Sequence, residues 1–290
     1  MAKGRELKGR IKSVENTRKI TRTLEMVATS KMKRAQDRVV AARPYANALA
    51  DVISSLYSNE LAERFPLLRQ PAQQTKVAVI LLTSNRGLAG AFNANLIKEA
   101  RARIAEFEAR GVEVELHIIG KKGLGYFKYI GRAIATQRLD ISDRPAAADA
   151  ASIVDGIMAD YIAGKLDGVY VVYSKFVSAM STPPSTDQVL PVVPPKKKEG
   201  GAAQKDYLLY PNAEEILTNL LPSYVRNAVY RALVETTAGF YTTQRTAMKN
   251  ATDNAGDMLN VLRRTYNRAR QAQITQEIAE IVGGAAALQG

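Results

Sequence analysis

At 290 residues, with 46% hydrophobic and 24% charged side chains, the chain has the composition of a globular protein and room for one large domain or two ordinary ones. It has no cysteine, no tryptophan and one histidine, which excludes disulfide frameworks, thiolate nucleophiles, Cys-based zinc sites and c-type haem attachment. The net charge of +13 is concentrated: residues 1–43 hold thirteen Lys and Arg against four acidic residues, a local +9. That density suits an acidic partner (nucleic acid, anionic lipid or an acidic protein face), with a solvated helix face as the plain alternative.

No run of about 18 apolar residues occurs, so no helical membrane span is expected. The N-terminal MAKGRELKGR has no apolar h-region behind it, so no secretory signal is expected. Residues 3–57 read as helix. Leu7, Ile11, Val14, Ile20, Leu24 and Val27 start an apolar line. Ala28, Met32, Ala35, Val39, Ala42, Ala46, Leu49, Ile53 and Leu56 continue it at alternating spacings of four and three, the seam of a coiled coil. The reading slips by one residue at Val27–Ala28, and Pro44 predicts a kink or break.

The middle of the chain changes period. Lys76–Thr83, Val112–Ile119 and Gly168–Ser174 are β-rich runs. Helical stretches near Leu88–Glu108, Lys121–Tyr129 and Ala146–Ala163 separate them, so βαβ units around a mostly parallel sheet are predicted. Residues 187–193 and 207–210 are candidate edge strands, and 194–206 reads as an exposed loop. Residues 212–288 are again helical, with Asn212 as N-cap. One seam runs through Met248, Ala251, Ala255, Met258 and Leu262, and a second through Ile274, Ile278, Ile281, Ala285 and Leu288. Pro222 and Gly239 weigh against an unbroken helix.

The fold class predicted is α/β: a long antiparallel coiled coil of the N- and C-terminal helices with an inserted Rossmann-like α/β domain. The expected divisions are 1–75, the N-terminal helix of a shaft; 76–206, an α/β foot carrying the 194–206 loop; and 207–290, the C-terminal helix. Each terminal helix has an apolar stripe that the other can cover.

No catalytic constellation emerges. TSNRGLAGAFN (83–93) runs from strand to helix, where a phosphate could meet a helix N-terminus. Neither it nor GKKGLG fits a P-loop or a G-x-G-x-x-G pattern, so glycines at a tight turn are the better account. His117 has no ligand or catalytic partner nearby in sequence. A basic helix joined to heptads suits nucleic acid, but the first 44 residues lack an aromatic platform, and the heptads overlap the basic stretch. The uncharged C-terminus after Glu280 reads either as a frayed tail or as an apolar tip buried in something.

Several blocks together resemble the gamma subunits of F-type ATP synthases along nearly the whole chain. ITQEIAEIVGGAAA (274–287) is the most specific. It is joined by RIKSVENTRKIT and EMVATSKMKRA within 10–35, TSNRGLAGAFN, QRTAMKNATDNAGDM (244–258) and YNRARQAQIT (266–275). Asn85, Ala89 and Leu24 depart from residues common in that family, at positions that are not catalytic. The resemblance implies a non-catalytic rotor shaft without cofactor or metal, one copy per three alpha and three beta subunits, also meeting epsilon and the membrane c-ring. It implies contact with alpha and beta through Leu24, Lys31, Lys33, Arg245, Gln271, Thr275 and Glu277. It further implies a bearing tip of Ile281, Ala285 and Leu288 in an apolar sleeve, no nucleic-acid partner, and a peripheral place on the cytoplasmic face of a bacterial membrane.

Overall fold

The computed structural model describes residues 2–56, 64–193 and 213–289, with side chains from residue 5 to residue 285 within those spans. The expected loop 194–206, the candidate strand 207–210, the Asn212 cap and the Leu288 side chain lie outside the described residues. Contacts divide the chain into two units: residues 30–243, and residues 1–29 together with 244–290.

The first unit is built on a five-stranded sheet. β1 (Lys76–Leu82), β2 (Glu113–Ile119), β3 (Thr136–Arg138), β4 (Gly168–Ser174) and β5 (Pro184–Leu190) lie in the order β3-β2-β1-β4-β5. β5 is antiparallel to β4 and every other pairing is parallel. β1 is central and covered on both faces, which is why it reads as an unbroken apolar run rather than an alternating one. Ala78, Ile80 and Leu82 face a cluster supplied by α4 (Ala147–Ile162), whose Val154, Ile157 and Tyr161 are buried there. Val77, Val79 and Leu81 face Leu96, Ala100 and Ile104 of α2 (Phe92–Ala109), with Leu124 and Phe127 of α3 (Lys121–Tyr129).

The strand expectations hold closely for β1, β2 and β4. β3 was not expected: its three residues are polar, and their strand geometry comes from pairing with His117–Ile119. The edge strand expected at 187–193 lies at Pro184–Leu190.

The terminal helices are α1 (Ala2–Leu56) and α5 (Ala213–Gln289). Each keeps its proline inside without interruption, so the break expected at Pro44 is absent. A mid-helix proline costs on the order of 3 kcal/mol through a lost hydrogen bond and a ring clash. Burial nearby offsets it: Ala46, Leu49 and Ile53 follow Pro44, and Leu217, Leu221, Val225 and Val229 flank Pro222. Within this unit α1 and α5 run antiparallel, since Ala35 and Val39 join Val234 and Ala238 while Met32 lies among Phe240 and Tyr241.

In the second unit the same helices pair antiparallel again. Thr252 Oγ1 donates to Thr21 Oγ1 (2.8 Å), Arg263 meets Glu15 (2.6 Å), and the Arg18 guanidinium lies over Gly256. The covered line on α1 is Leu7, Ile11, Val14, then Thr21, Glu25 and Ala28, in four-three spacing interrupted only by the exposed Arg18 between Val14 and Thr21. The slip at Val27–Ala28 therefore does not exist: Ile20 and Val27 point outward, 60% and 47% exposed. On α5 the line is Met248, Thr252, Ala255 and Leu259, while Met258 is 55% exposed. Hydropathy alone slid off the true line at the polar Thr21, Glu25 and Thr252, and then took Met258 in place of Leu259.

Leu259→Glu forces a charge into the helix pair and is expected to lower stability by about 2–4 kcal/mol, whereas Met258→Glu stays within about 0.5 kcal/mol of the parent. Urea titration followed by circular dichroism separates the two, and equal effects would contradict the seam described here.

Candidate partner-contact surface

The residues proposed from sequence fall into different settings. Leu24 is half-buried beside the seam position Glu25. Arg245 is also half-buried; its Nε is shielded from solvent and has no hydrogen-bond partner among the described residues. Leaving such a donor unsatisfied costs about 1–3 kcal/mol, so Arg245 is a side chain with a hydrogen bond to give.

Lys31 is committed inside its own unit. Its Nζ donates to Asp143 Oδ2 (2.9 Å) and to the Tyr241 hydroxyl (3.1 Å), and Arg86 reaches the same Asp143 oxygen at 3.5 Å. Burial disfavours ionised Asp143, but hydrogen bonds from Tyr241 and Lys31 and the charges of Lys31 and Arg86 outweigh it, holding its pKa below the ordinary value. Burial, and then the hydrogen bond to Asp143, push the Tyr241 phenol well up. Lys33, two positions and so about 200° further round the helix, is a surface residue paired, among the described residues, with Asp37 at i+4 (2.9 Å). Of the two lysines, Lys33 is thus the one available to an outside surface.

Gln271, Thr275 and Glu277 are exposed on α5, where Glu277 accepts from Gln273 (2.9 Å). The register of Glu15 with Arg263 and Thr21 with Thr252 brings the start of α1 opposite the stretch just before Ile274. Beyond it α5 continues as helix with its apolar side bare: Ile274, Ile278 and Ile281 are 48%, 56% and 71% exposed, and Ala285 is exposed too. The C-terminal stretch is helical through Gln289 rather than frayed.

The strand ends offer no nucleotide crevice of the usual kind. In doubly wound sheets ligands sit outside the carboxyl ends of the strands. Here Leu233, Thr236, Phe240 and Tyr241 of α5 fill that place, leaving about 60 Å³. The glycines there serve packing. Gly120 has φ +100°, and a Cβ on it would lie 2.1 Å from the Thr83 carbonyl oxygen; Gly123 N donates to Thr83 Oγ1 (3.0 Å).

His117 is buried on β2, with Nδ1 2.8 Å from Thr136 Oγ1 and Nε2 3.4 Å from Glu115. Burial lowers its pKa below 6.5 despite the opposing pull of Glu115 and Asp160. Because the folded state binds this proton less readily than the unfolded chain, its contribution to stability is present above about pH 6.5 and lost as pH falls below it. Denaturant midpoints measured between about pH 7.5 and about pH 5 are expected to fall less in His117→Gln than in the parent; parallel curves would contradict this.

Among the described residues no group of His, Cys, Asp or Glu is arranged to hold a metal ion, and no helix is long and apolar enough to cross a membrane.

The family model described as ATP synthase matches residues 3–288. A Gemmatimonas aurantiaca protein described as ATP synthase gamma chain is 69% identical over 290 residues, covering 100% of both chains. A Leptospira biflexa protein of the same description is 41% identical over 288 residues, covering 99% of this chain and all of the relative. Among solved structures, a chain of the Euglena gracilis mitochondrial ATP synthase, in its OSCP/F1/c-ring assembly, superposes with a TM-score of 0.70 at 19% identity. That match covers 99% of this chain and 95% of the other, and at this identity the likeness is one of fold.

Proposed function

The chain belongs to the gamma-chain family of ATP synthases, and from that premise we propose that it is the central rotor shaft, coupling ion-driven rotation of a membrane c-ring to conformational change in an alpha/beta hexamer. It is a non-catalytic subunit, and the chemistry belongs to the complex. In functional terms residues 1–75 and 207–290 are the shaft helices and 76–206 the α/β foot that meets epsilon and the c-ring. The bacterial relatives favour the cytoplasmic face of a bacterial cell membrane as its location.

The observation that carries this reading is the bare apolar side of α5 from Ile274 to Ile281, displayed on a helix that no other described residue covers there. An exposed isoleucine line on a regular helix suits an apolar sleeve. Arg245, with its unspent donor, together with Gln271, Thr275 and Glu277, would engage the hexamer below that tip. Leu24 and Lys33 would meet an acidic face of beta, with Lys31 holding the neck from within.

The mechanism follows from asymmetry. One shaft inside a ring of near-threefold symmetry touches each catalytic subunit differently, so each orientation favours a different conformation at each site. Turning the shaft shifts those populations in sequence. Two helices interlocked through a seam resist twist and bending better than one.

Reconstitution tests the reading. The chain mixed with matching alpha and beta subunits is expected to form a complex of one copy per three of each, with faster ATP hydrolysis than alpha and beta alone. Failure to assemble, with salt-sensitive DNA binding instead, would overturn it. Within the complex, Lys33→Glu is expected to lower the rate of ATP hydrolysis about two- to tenfold, the range for one exposed charge contact. An unchanged rate would remove Lys33 from the interface.

A further inference from the structure

A basic cavity of about 540 Å³ lies within residues 30–243, just outside the carboxyl ends of β1 and β3. One wall is a single face of α1, carrying Lys31, Arg34 and Arg38; the facing wall is the segment Leu139–Arg144; Asn85 and Arg86 close the base with Tyr241. Its two carboxylates are already neutralised. Asp143 is held by Lys31, Arg86 and Tyr241, and Asp140 receives both Nε (2.8 Å) and Nη2 (2.7 Å) of Arg138. Arg34 donates to the neutral Ser30 Oγ (2.9 Å). No carboxylate lies within ion-pair distance of Arg34, Arg38 or Arg144 among the described residues.

Three uncompensated guanidinium groups around one concavity repel each other, and the arrangement is relieved by a multivalent anion between them. Guanidinium forks match phosphate oxygens two at a time. The rim is fixed rather than loose: Asn85 Nδ2 donates to the carbonyl oxygens of Leu139 (3.0 Å) and Ile141 (3.4 Å), and Asn85 Oδ1 accepts from Lys121 N (3.0 Å). The volume falls in the range of small-molecule sites. The place is also where a doubly wound sheet receives its ligands, moved outward because α5 occupies the inner crevice.

We propose that this cavity binds a polyphosphate anion through Arg34, Arg38 and Arg144, recognising the phosphate chain and not the group attached to it. Tyr241, the only aromatic among the described residues lining it, is buried with Lys31 Nζ 5.2 Å from the centre of its ring, so no free ring is offered to a base. The proposal is independent of the rotor reading, since it concerns the isolated chain.

Calorimetric titration of the full-length chain at low salt, with tripolyphosphate, ATP and orthophosphate in turn, tests it. Tripolyphosphate and ATP are expected to saturate a single site with affinities within about threefold of each other, and orthophosphate to bind about tenfold or more weakly because it spans fewer guanidinium groups. Arg38→Gln with Arg144→Gln is expected to lose about tenfold or more in tripolyphosphate affinity, with an unaltered unfolding curve. The charge-preserving Arg38→Lys with Arg144→Lys keeps part of it, which separates lost contact from lost fold. Lys98→Gln, exposed on α2 and outside the cavity, leaves it unchanged. ATP binding without tripolyphosphate binding, unsaturable binding, or equal affinity in the glutamine variant would each overturn the proposal.

Discussion

Gly120→Ala is expected to destabilise the α/β unit by on the order of 3–5 kcal/mol, enough to unfold a marginal domain. Two costs combine. The residue sits at φ +100°, a conformation that side chains with a Cβ adopt only under strain of about 1–3 kcal/mol. The added Cβ would also lie 2.1 Å from Thr83 O and 2.6 Å from Thr83 C, backbone atoms that cannot swing aside. Thr83 N donates to the Ile119 oxygen (2.8 Å) and Gly120 N to that of Arg138 (2.9 Å), so relief by backbone movement would break the ladder between β1, β2 and β3. Urea midpoints of parent and variant measure it. A shift under about 1 kcal/mol would show that the turn can yield and that the close approach is not a constraint.

Gly239→Ala gives the second large effect, with a sign opposite to helix propensity. In an exposed helix interior, alanine is favoured over glycine by about 1 kcal/mol. Gly239 instead faces the end of β4: a Cβ there would lie 2.3 Å from Ser174 Oγ, 3.0 Å from Ser174 Cβ and 3.3 Å from Phe92 Cε2. Ser174 is itself tied down, donating from Oγ to the Thr182 oxygen (3.1 Å) and from its N–H to Thr236 Oγ1 (3.3 Å). A loss of about 2–4 kcal/mol is expected, the range for overpacking and a broken buried hydrogen bond together. Ser174→Gly removes the obstructing atoms, so Gly239→Ala measured in that background is expected to cost less than half as much. A full cost in both backgrounds would place the difficulty elsewhere in the helix.

Gly239 also shows where sequence reading stops. Seen in sequence, it weakens a helix; seen against Ser174, 65 positions earlier in the chain, it lets the helix press on the sheet. The central strands were legible because β1 and β4 are covered on both faces and carry little but apolar residues. β3 was illegible for the converse reason, being three polar residues shaped by a neighbour. The seam was legible at Met32, Ala35, Val39, Met248 and Ala255, and missed at Leu259, where the reading took its neighbour Met258. It was lost where Thr21, Glu25 and Thr252 take the place of aliphatic residues. A buried threonine pair gives hydropathy nothing to find, yet the hydrogen bond between the two fixes which turn faces which.

The contact surface was legible in a different sense. Its residues came from resemblance, and the fold sorts them by availability. Lys31 looked like one more positive charge on a basic helix, because its partner Asp143 lies 112 positions away. Lys33 and the α5 residues beyond Gln273 are turned outward. The uncompensated arginines of the cavity were hidden for a similar reason: Arg34 and Arg38 read as a solvated face until Arg144 and the Asn85-braced rim are brought opposite.

Rotation is the central claim, and the chain is suited to a direct measurement of it. It has no cysteine, so Met180→Cys, at a side chain 97% exposed, provides a single attachment point for an optical probe. With the alpha/beta hexamer fixed to a surface and ATP supplied, the probe is expected to turn in one direction in repeated steps. A probe that stays fixed relative to the hexamer while ATP is hydrolysed at the full rate would contradict the account.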